Sequence, residues 1–384
     1  MKRFLVFAFL LVVLCACLAN GNLPIKVFAQ EEFSVDAKSA ILVDYASGEV
    51  LLGQNIDTKL EIASMVKLMT IYLTISAVEQ GEISLDDFLT VSEHASSMGG
   101  SQVFLDAGEK YNVGKMLQSV IMASANDASV ALSEYISGSE KAFVEKMNQT
   151  AVQLGMNNTL YANATGLPAP MQYSTAYDTS IILSKLVSND IYHNFSSLWM
   201  DELVHPSGRK TELVNTNKLT RYYKGCDSGK TGFTDEALYC LASSAVRDDM
   251  RLIAVVMGAK TANQRFGESV KLLNYGFDNF KSETIIDTEV CLGEISVVKS
   301  TLTSAKVFAK DNFASVVKKG QKHEYEISVN IDKKVVAPSL KGEKVGEIVV
   351  SKQGVVVKEI DLVLGQDIDA LTFGQAFRKV SQAW

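Results

Sequence analysis

Two side chains that could act as a nucleophile and its base stand three residues apart, at Ser64 and Lys67. Residues at positions i and i+3 lie on the same face of a helix, so the hydroxyl and the amine would be neighbours. A serine hydroxyl becomes a useful nucleophile when a neighbouring base takes its proton. A lysine can be that base once burial or a nearby positive charge lowers the pKa of its amine. The mostly apolar stretch 65–73 predicts such a buried helix.

Two further polar elements follow along the chain. Ser-x-x-Lys alone is a weak signal, because it also occurs at Ser207, Ser296 and Ser315. Ser-Ala-Asn comes next at 124–126, with alanine in place of the usual central aspartate, and Lys-Thr-Gly at 230–232 occurs only once. The order S-x-x-K, S-x-N and K-T-G is typical of class A β-lactamases and penicillin-binding proteins. We therefore expect the three elements to meet in one pocket.

The elements that must position these residues predict a mixed α/β domain. Two apolar runs around a glycine turn at 40–52 predict a β-hairpin, and 64–80 predicts a helix. Short apolar strands are predicted at 238–245 and 251–258. We expect an antiparallel sheet of these early and late strands, with a helical cluster that carries the two serines. The polar stretch 203–229 predicts irregular structure.

The pattern changes near residue 283. Short β runs separated by glycine or charged pairs fill 284–364 and predict a separate small β-sandwich. Residues 369–384 are helical in pattern, and their large apolar side chains fall on one face. These side chains are Phe373, Phe377, Val380 and Trp384. The helix is interpreted either as a membrane-surface element or as a helix packed on the β domain.

The first residues predict export. Lys2 and Arg3 precede an apolar run over 4–18 that is too short to span a membrane comfortably, as in a secretory signal peptide. Four parts are therefore expected. They are a signal peptide at 1–29, a catalytic domain at 30–282, a β-sandwich at 283–365 and an amphipathic helix at 366–384. The net charge of −7 and the lack of a basic run argue against a nucleic-acid partner.

Five cysteines are present, and three of them follow the predicted signal peptide: Cys226, Cys240 and Cys291. An odd number leaves at least one unpaired, so the scaffold is not rich in disulfides. Cys226 and Cys240 flank the Lys230 hairpin. They are expected either to face each other across it or to be plain buried thiols.

These motifs together make the chain resemble a secreted serine-type D-alanyl-D-alanine carboxypeptidase, a low-molecular-mass penicillin-binding protein. Its matching segments are 63–67, 163–167, 174–178, 229–235 and 250–258, with the opening hairpin and the trailing β domain. The resemblance implies an α/β (α+β) fold: a β-lactamase/transpeptidase-like domain followed by a small β-sandwich. It implies pentapeptide stems of peptidoglycan as substrate, β-lactams as covalent inhibitors, no cofactor and no metal. It also implies a location outside the cytoplasm, with attachment to the outer face of the membrane as one option.

The resemblance assigns a role to each site residue. Ser64 would attack the carbonyl between the terminal D-alanines, Lys67 would take its proton, and Ser124 would relay a proton to the departing amine. The backbone N–H groups of Ser64 and Phe233 would form the oxyanion hole. The substrate would be bound by a further set: Asn126, Lys230, Thr231, Gly232 and Arg265. Among these, Thr231 and Arg265 would hold the carboxylate, Arg265 by a two-pronged contact.

Some positions depart from the family pattern, and other functions remain open. Phe233 stands where His or Tyr is frequent, and Leu238 stands where Gly is usual, so the hairpin after Lys230 could differ in shape. A class A β-lactamase needs an extra glutamate between S-x-N and K-T-G, and no Glu lies between Glu145 and Glu202. A DD-endopeptidase would use the same catalytic parts. A non-catalytic muropeptide-binding protein is the alternative from another class.

Overall fold

The computed structural model of the protein describes residues 33–381. The predicted signal peptide at 1–29 and the apolar Trp384 therefore lie outside the described residues. Within 33–381, no helix combines the length and apolar character that crossing a membrane requires.

The helices are numbered in chain order. They are α1 Lys67–Glu79, α2 Glu93–Ser96, α3 Val113–Met122, α4 Asn126–Ser137, α5 Glu140–Gln153, α6 Ala176–Leu186, α7 Asp190–Ser196, α8 Leu219–Tyr222, α9 Ala262–Asn279 and α10 Phe373–Ser381. A single 3-10 turn, Ala63–Val66, leads directly into α1. The predicted helix over 64–80 is therefore confirmed from Lys67 onward, with Ser64 in the tighter turn before it.

The strands are numbered in the same way. Those of the first part are β1 Ser39–Asp44, β2 Val50–Gln54, β3 Phe88–Thr90, β4 Lys110–Asn112, β5 Met200–Val204, β6 Lys210–Val214, β7 Cys226–Thr234, β8 Leu238–Arg247 and β9 Met250–Ala259. Those of the second part are β10 Phe280–Ile286, β11 Gly293–Val298, β12 Ser304–Ala309, β13 Phe313–Lys318, β14 Tyr325–Ile331, β15 Val335–Val336, β16 Lys344–Lys352 and β17 Val355–Leu364.

The central sheet has the order β2-β1-β9-β8-β7, and each neighbouring pair is antiparallel. The early strand β1 thus pairs with the late strand β9, as the sequence predicts. Every residue of β1 is buried, because helices cover both faces of the sheet. Ile41 packs into the main core with the helical cluster, whereas Leu42 on the other face approaches Gly276 of α9.

The region after α9 is β-rich. Its larger sheet has the order β14-β16-β17-β12-β11-β15, and β10 pairs with β13 in a second sheet. Residues of the two sheets share one apolar cluster, in which Ile286 and Phe313 meet Ile348 and Leu362. This arrangement matches the predicted β-sandwich.

The prediction of irregular structure over 203–229 is wrong. This stretch contains part of the hairpin β5–β6 and the helix α8. In each hairpin strand a single residue is buried, Leu203 or Leu213, so the apolar alternation is too weak to read from the sequence. Leu238 begins β8 with a φ of +56°, the left-handed conformation that glycine favours. The leucine therefore keeps the backbone shape expected of a glycine.

The three cysteines within 33–381 are free thiols. Cys226 lies opposite Ala245 and Cys240 lies opposite Gly232 across the β7–β8 ladder, so the two do not face each other. Burial raises the pKa of Cys226 to about 12 and that of Cys240 to about 11. Cys291 is exposed.

Candidate active site

Ser64 and Lys67 lie at the junction of the 3-10 turn and α1. The Nζ atom of Lys67 is 3.0 Å from the Oγ atom of Ser64. Lys67 has no exposed surface, because the helix that it begins is buried on nearly every side. The same Nζ atom contacts Asn126 Oδ1 at 2.6 Å and the backbone oxygen of Thr165 at 2.5 Å. The amine is therefore held by three oxygens in a water-excluded position.

Ser124 and Asn126 occupy the connection between α3 and α4. Ser124 has a φ of +62°, an uncommon conformation for a residue other than glycine, and it is almost fully buried. Asn126 opens α4, and its Nδ2 group donates to the backbone oxygen of Gly99 at 2.6 Å. Its backbone N–H donates to Ser101 at 2.7 Å. Hydrogen bonds from both the side chain and the backbone of Asn126 thus fix the amide group that contacts Lys67.

Lys230 reaches the same pocket from strand β7. Its Nζ atom donates to Ser124 Oγ at 2.7 Å and to the backbone oxygen of Thr231 at 3.1 Å. The side chain is 1% exposed. Ser64, Lys67 and Asn126 form one hydrogen-bonded group, Ser124 and Lys230 form a second, and Ser124 and Asn126 are two residues apart. The structure therefore brings the three predicted elements together.

The two buried amines have pKa values below the ordinary range for lysine. Burial, and then the charge of Lys230, hold the pKa of Lys67 well below its usual value, while Asp127 opposes the shift. Burial, and then the charge of Arg265, lower the pKa of Lys230 to about 7. An amine with a lowered pKa can be neutral near pH 7 and accept a proton, which is what a general base for Ser64 requires.

The backbone of β7 runs directly against the turn that carries Ser64. A side-chain carbon added at Gly232 would stand 2.5 Å from the backbone oxygen of Ile62 and 3.3 Å from the N atom of Met65. Only glycine allows this approach. It places the backbone at Phe233 beside that of Ser64, where two N–H groups could address one oxygen.

Arg265 reaches β7 and β8 from the first turn of α9. Its Nη1 group donates to the backbone oxygens of Gly232 at 3.1 Å and Cys240 at 3.5 Å. Thr231 is 6% exposed. Burial lowers the pKa of the Arg265 guanidinium. Because Nη1 is already bonded to backbone, the predicted two-pronged contact of Arg265 with a carboxylate would need that group to be shared or released.

Three supporting residues receive no role from the sequence: Thr165, Asn163 and Asp127. Thr165 acts through its backbone oxygen, and Asn163 Oδ1 shapes that loop by accepting N–H bonds from Thr165 and Gly166 at 3.1 and 2.7 Å. Asp127 accepts the backbone N–H groups of Val103 and Leu105, at 3.0 and 3.1 Å. Asp127 thereby holds the loop before β4 against the first turn of α4, next to Asn126. An acidic residue at the start of an apolar helix is the one sequence signal for Asp127.

Across the described residues, no three His, Cys, Asp or Glu side chains lie close enough together to hold a metal ion. The arrangement is that of a nucleophile with a buried amine base, next to a second amine that contacts a hydroxyl. Such a set can form and hydrolyse an acyl-enzyme.

Comparison with known proteins identifies the family of the chain. Residues 26–261 match the family described as D-alanyl-D-alanine carboxypeptidase. The chain belongs to this family. Residues 280–370 match the family described as penicillin-binding protein 5, C-terminal domain. The carboxypeptidase is thus a serine-type hydrolase with an additional β-rich region.

Curated relatives match the carboxypeptidase over most of its length. D-alanyl-D-alanine carboxypeptidase DacF of Bacillus subtilis is 36% identical over 92% of this chain and 91% of its own. DacC of Escherichia coli is 34% identical over the same shares of the two chains, 92% and 91%. The crystal structure of penicillin binding protein 5 from Haemophilus influenzae has a TM-score of 0.72 at 33% identity, and covers 88% of this chain and 98% of that one.

Proposed function

We propose that the enzyme removes the terminal D-alanine from the pentapeptide stems of peptidoglycan through an acyl-enzyme on Ser64. The observation that carries this proposal is the fully buried amine of Lys67, 3.0 Å from Ser64 Oγ. The names of the curated relatives support the same substrate. Because peptidoglycan lies in the cell wall, the enzyme acts outside the cytoplasm.

Acylation begins when Ser64 Oγ attacks the carbonyl carbon between the two D-alanines and its proton passes to Lys67 Nζ. The backbone N–H groups of Ser64 and Phe233 stabilise the oxyanion, and each such donor is worth about 3 kcal/mol. The C–N bond then breaks, and the proton that Lys67 took from Ser64 is relayed through Ser124 to the departing amine, which leaves Lys67 neutral again. Lys230 supports this step through its contact with Ser124 Oγ.

Deacylation returns the enzyme to its first state. Water attacks the ester carbon, loses its proton to Lys67 and displaces Ser64 Oγ, which takes a proton back. Asn126 and the Gly232 segment of β7 hold the peptide backbone. Thr231, Lys230 and Arg265 attract the terminal carboxylate, since Thr231 and Lys230 lie on β7 and Arg265 reaches this strand from α9.

The test is a comparison of the mature enzyme and its Ser64→Ala variant. Both are incubated with purified muropeptides, and the products are weighed by mass spectrometry. The wild type should shorten pentapeptide stems by one alanine and become labelled by penicillin, and Ser64→Ala should do neither. Release of D-alanine by the variant would contradict the nucleophile. Cleaved cross-links would identify an endopeptidase. Rapid loss of the penicillin label would identify a β-lactamase-like enzyme. The absence of both label and products would identify a non-catalytic binding protein.

We also propose that α10 attaches the enzyme to the outer face of the cytoplasmic membrane. Phe373, Phe377 and Val380 are 88%, 68% and 60% exposed, and α10 buries none of its residues. Arg378 and Lys379 give the helix positive charge. An apolar face beside basic residues is typical of helices that lie in a membrane interface. In this arrangement the β-sandwich, proposed at 283–365, separates the catalytic domain at 30–282 from the membrane.

Sedimentation with anionic lipid vesicles tests the attachment. The double variant Phe373→Glu/Phe377→Glu should lower binding at least about tenfold, because burying one Phe contributes about 1.5–3 kcal/mol. Phe88→Glu is the matched control, since Phe88 is also exposed, at 64%, but lies on β3. Equal binding by the double variant and the control would contradict the proposal.

A further inference from the structure

An aromatic pair stands beside the K-T-G strand. Phe233 and Tyr239 face each other across the β7–β8 ladder. Their ring centroids are 4.3 Å apart and the ring planes are inclined by 29°, so the rings are stacked. Phe233 is 48% exposed. The pair is therefore partly open to solvent through Phe233, while Tyr239 is half-buried.

Arg265 is enclosed by rings on this side of the strand. The guanidinium carbon lies 5.5 Å from the centroid of Tyr239 and 4.8 Å from that of Phe266. A cation over an aromatic face is attracted to it, and the attraction grows when water is excluded. Phe233 stacks on Tyr239, so the ring that contacts Arg265 is itself supported by a second ring.

Hydrogen bonds complete the fixation of Arg265. Nη1 donates to Gly232, and Nε is buried without a hydrogen-bond partner among residues 33–381. Within the same residues, the hydrogen bonds of the guanidinium are made by Nη1, and Nη2 donates none. One edge of the guanidinium is therefore tied to the K-T-G backbone, its face is held by rings, and Nη2 remains for a ligand.

We propose that Phe233 and Tyr239 are positioning residues that orient Arg265, and that this support makes the enzyme selective for ligands ending in a free carboxylate. The inference rests on the proposed function and adds the determinant of its selectivity. An arginine without the rings could still reach the site, but its long side chain would sample other rotamers and its charge would be hydrated. Selectivity for the anion would then fall even though the guanidinium is still present.

The experiment compares paired ligands that differ only in this charge. One pair is a blocked tripeptide ending in D-Ala-D-Ala and the same peptide as its C-terminal amide, followed by kcat/KM. The other is benzylpenicillin and its methyl ester, followed by the rate of covalent labelling. For each enzyme form, the ratio of acid to neutral ligand is the quantity of interest.

Tyr239→Leu should lower the acid-to-neutral ratio at least tenfold, mainly through a higher KM for the acid, with a much smaller change for the neutral ligand. Phe233→Leu keeps the backbone N–H and should lower the ratio at least threefold. Tyr239→Phe keeps the ring and should restore the wild-type ratio. Tyr222→Leu is the matched control, because Arg221 lies 5.7 Å from that ring outside the site, and it should leave the ratio unchanged.

A merely structural role for the rings predicts a different result. Both members of each pair would slow by the same factor, or only the melting temperature would fall, and either outcome overturns the inference. If Tyr239→Leu does not fold, Phe233→Leu at its half-exposed position decides the question. If the wild type labels with penicillin but releases no D-alanine, the proposed function fails, while the acid-to-ester ratio still decides this inference.

Discussion

At the scale of single residues, the site depends on one amine with no exposed surface. Lys67 is in contact with a hydroxyl, an amide oxygen and a backbone oxygen, and none of these partners is a carboxylate that would stabilise its charge. Burial alone makes a lysine amine easier to deprotonate. The chemistry of Ser64 is therefore set by where α1 begins rather than by an unusual side chain.

Replacing this amine tests its role directly. Lys67→Met keeps the length of the side chain and removes the base, so the rate of penicillin labelling should fall about 10²–10⁴-fold. The rate is measured with a fluorescent penicillin, and circular dichroism shows whether the variant is folded. A folded variant that labels at the wild-type rate would place the base elsewhere.

The second lysine predicts a pH dependence. The pKa of Lys230 is lowered to about 7, so the amine is charged below that pH and neutral above it. Because the proposed role needs its charge to attract a carboxylate, kcat/KM for an acidic substrate should fall as pH rises through about 7. The measurement is a pH profile of kcat/KM. In Lys230→Arg the guanidinium stays charged, so the falling limb should move to higher pH. An unchanged limb would exclude Lys230 as its origin.

At the scale of elements, a loop packs closely against the nucleophile because one of its residues, Gly166, has no side chain. Gly166 has a φ of +79°, and a carbon added there would collide with the backbone oxygen of Ala63 and stand 2.9 Å from the N atom of Ser64. The loop that supplies the Thr165 oxygen is therefore pressed against the turn of Ser64. Its shape and the position of the nucleophile are linked.

Gly166→Ala should destabilise the enzyme by about 3 kcal/mol or more, since left-handed strain and overpacking add. Gly155→Ala is the control, because Gly155 has a φ of +80° but nothing within 4 Å of the added carbon. That variant should lose about 1–2 kcal/mol. Denaturant unfolding of both variants gives the difference, and equal losses would show that the loop can move aside.

The elements also show which parts of the fold and of the site can be predicted from the sequence. The strands β1 and β9 and the helix α1 are predictable because their apolar residues are continuous or regularly spaced. The hairpin β5–β6 is missed because each strand buries a single leucine. The motif residues of the site are predicted from their order. Thr165 and Asp127 are missed because they act through a backbone oxygen or on backbone N–H groups, and residue type does not encode either contact.

At the scale of the whole molecule, the catalytic part and the β-rich region are joined by an ion pair as well as by the chain. Glu49, in the turn between β1 and β2, lies 2.8 Å from Lys352 at the end of β16. Their side chains are 37% and 27% exposed. Ion pairs with this much water contact contribute about 0–1 kcal/mol. The pair can therefore orient the two regions without dominating their stability.

Glu49→Gln should lower the free energy of unfolding by no more than about 1 kcal/mol and should leave penicillin labelling at its wild-type rate. Added salt should reduce the small difference further, because exposed charges are screened. Unfolding in urea at low and high ionic strength provides the measurement. A loss several times larger would mean that the two regions depend on this contact to fold.

The distribution of thiols has a practical consequence. Cys226 and Cys240 remain protonated at neutral pH and are enclosed by the sheet, so alkylating reagents that need an accessible thiolate would not reach them. Cys291 alone among the cysteines within 33–381 faces solvent, and it lies in the β-rich region rather than beside Ser64. Cys291 is thus a natural attachment point for a fluorophore or a solid support. Acylation of Ser64 could then be followed in the tethered enzyme, because the label does not lie beside the nucleophile.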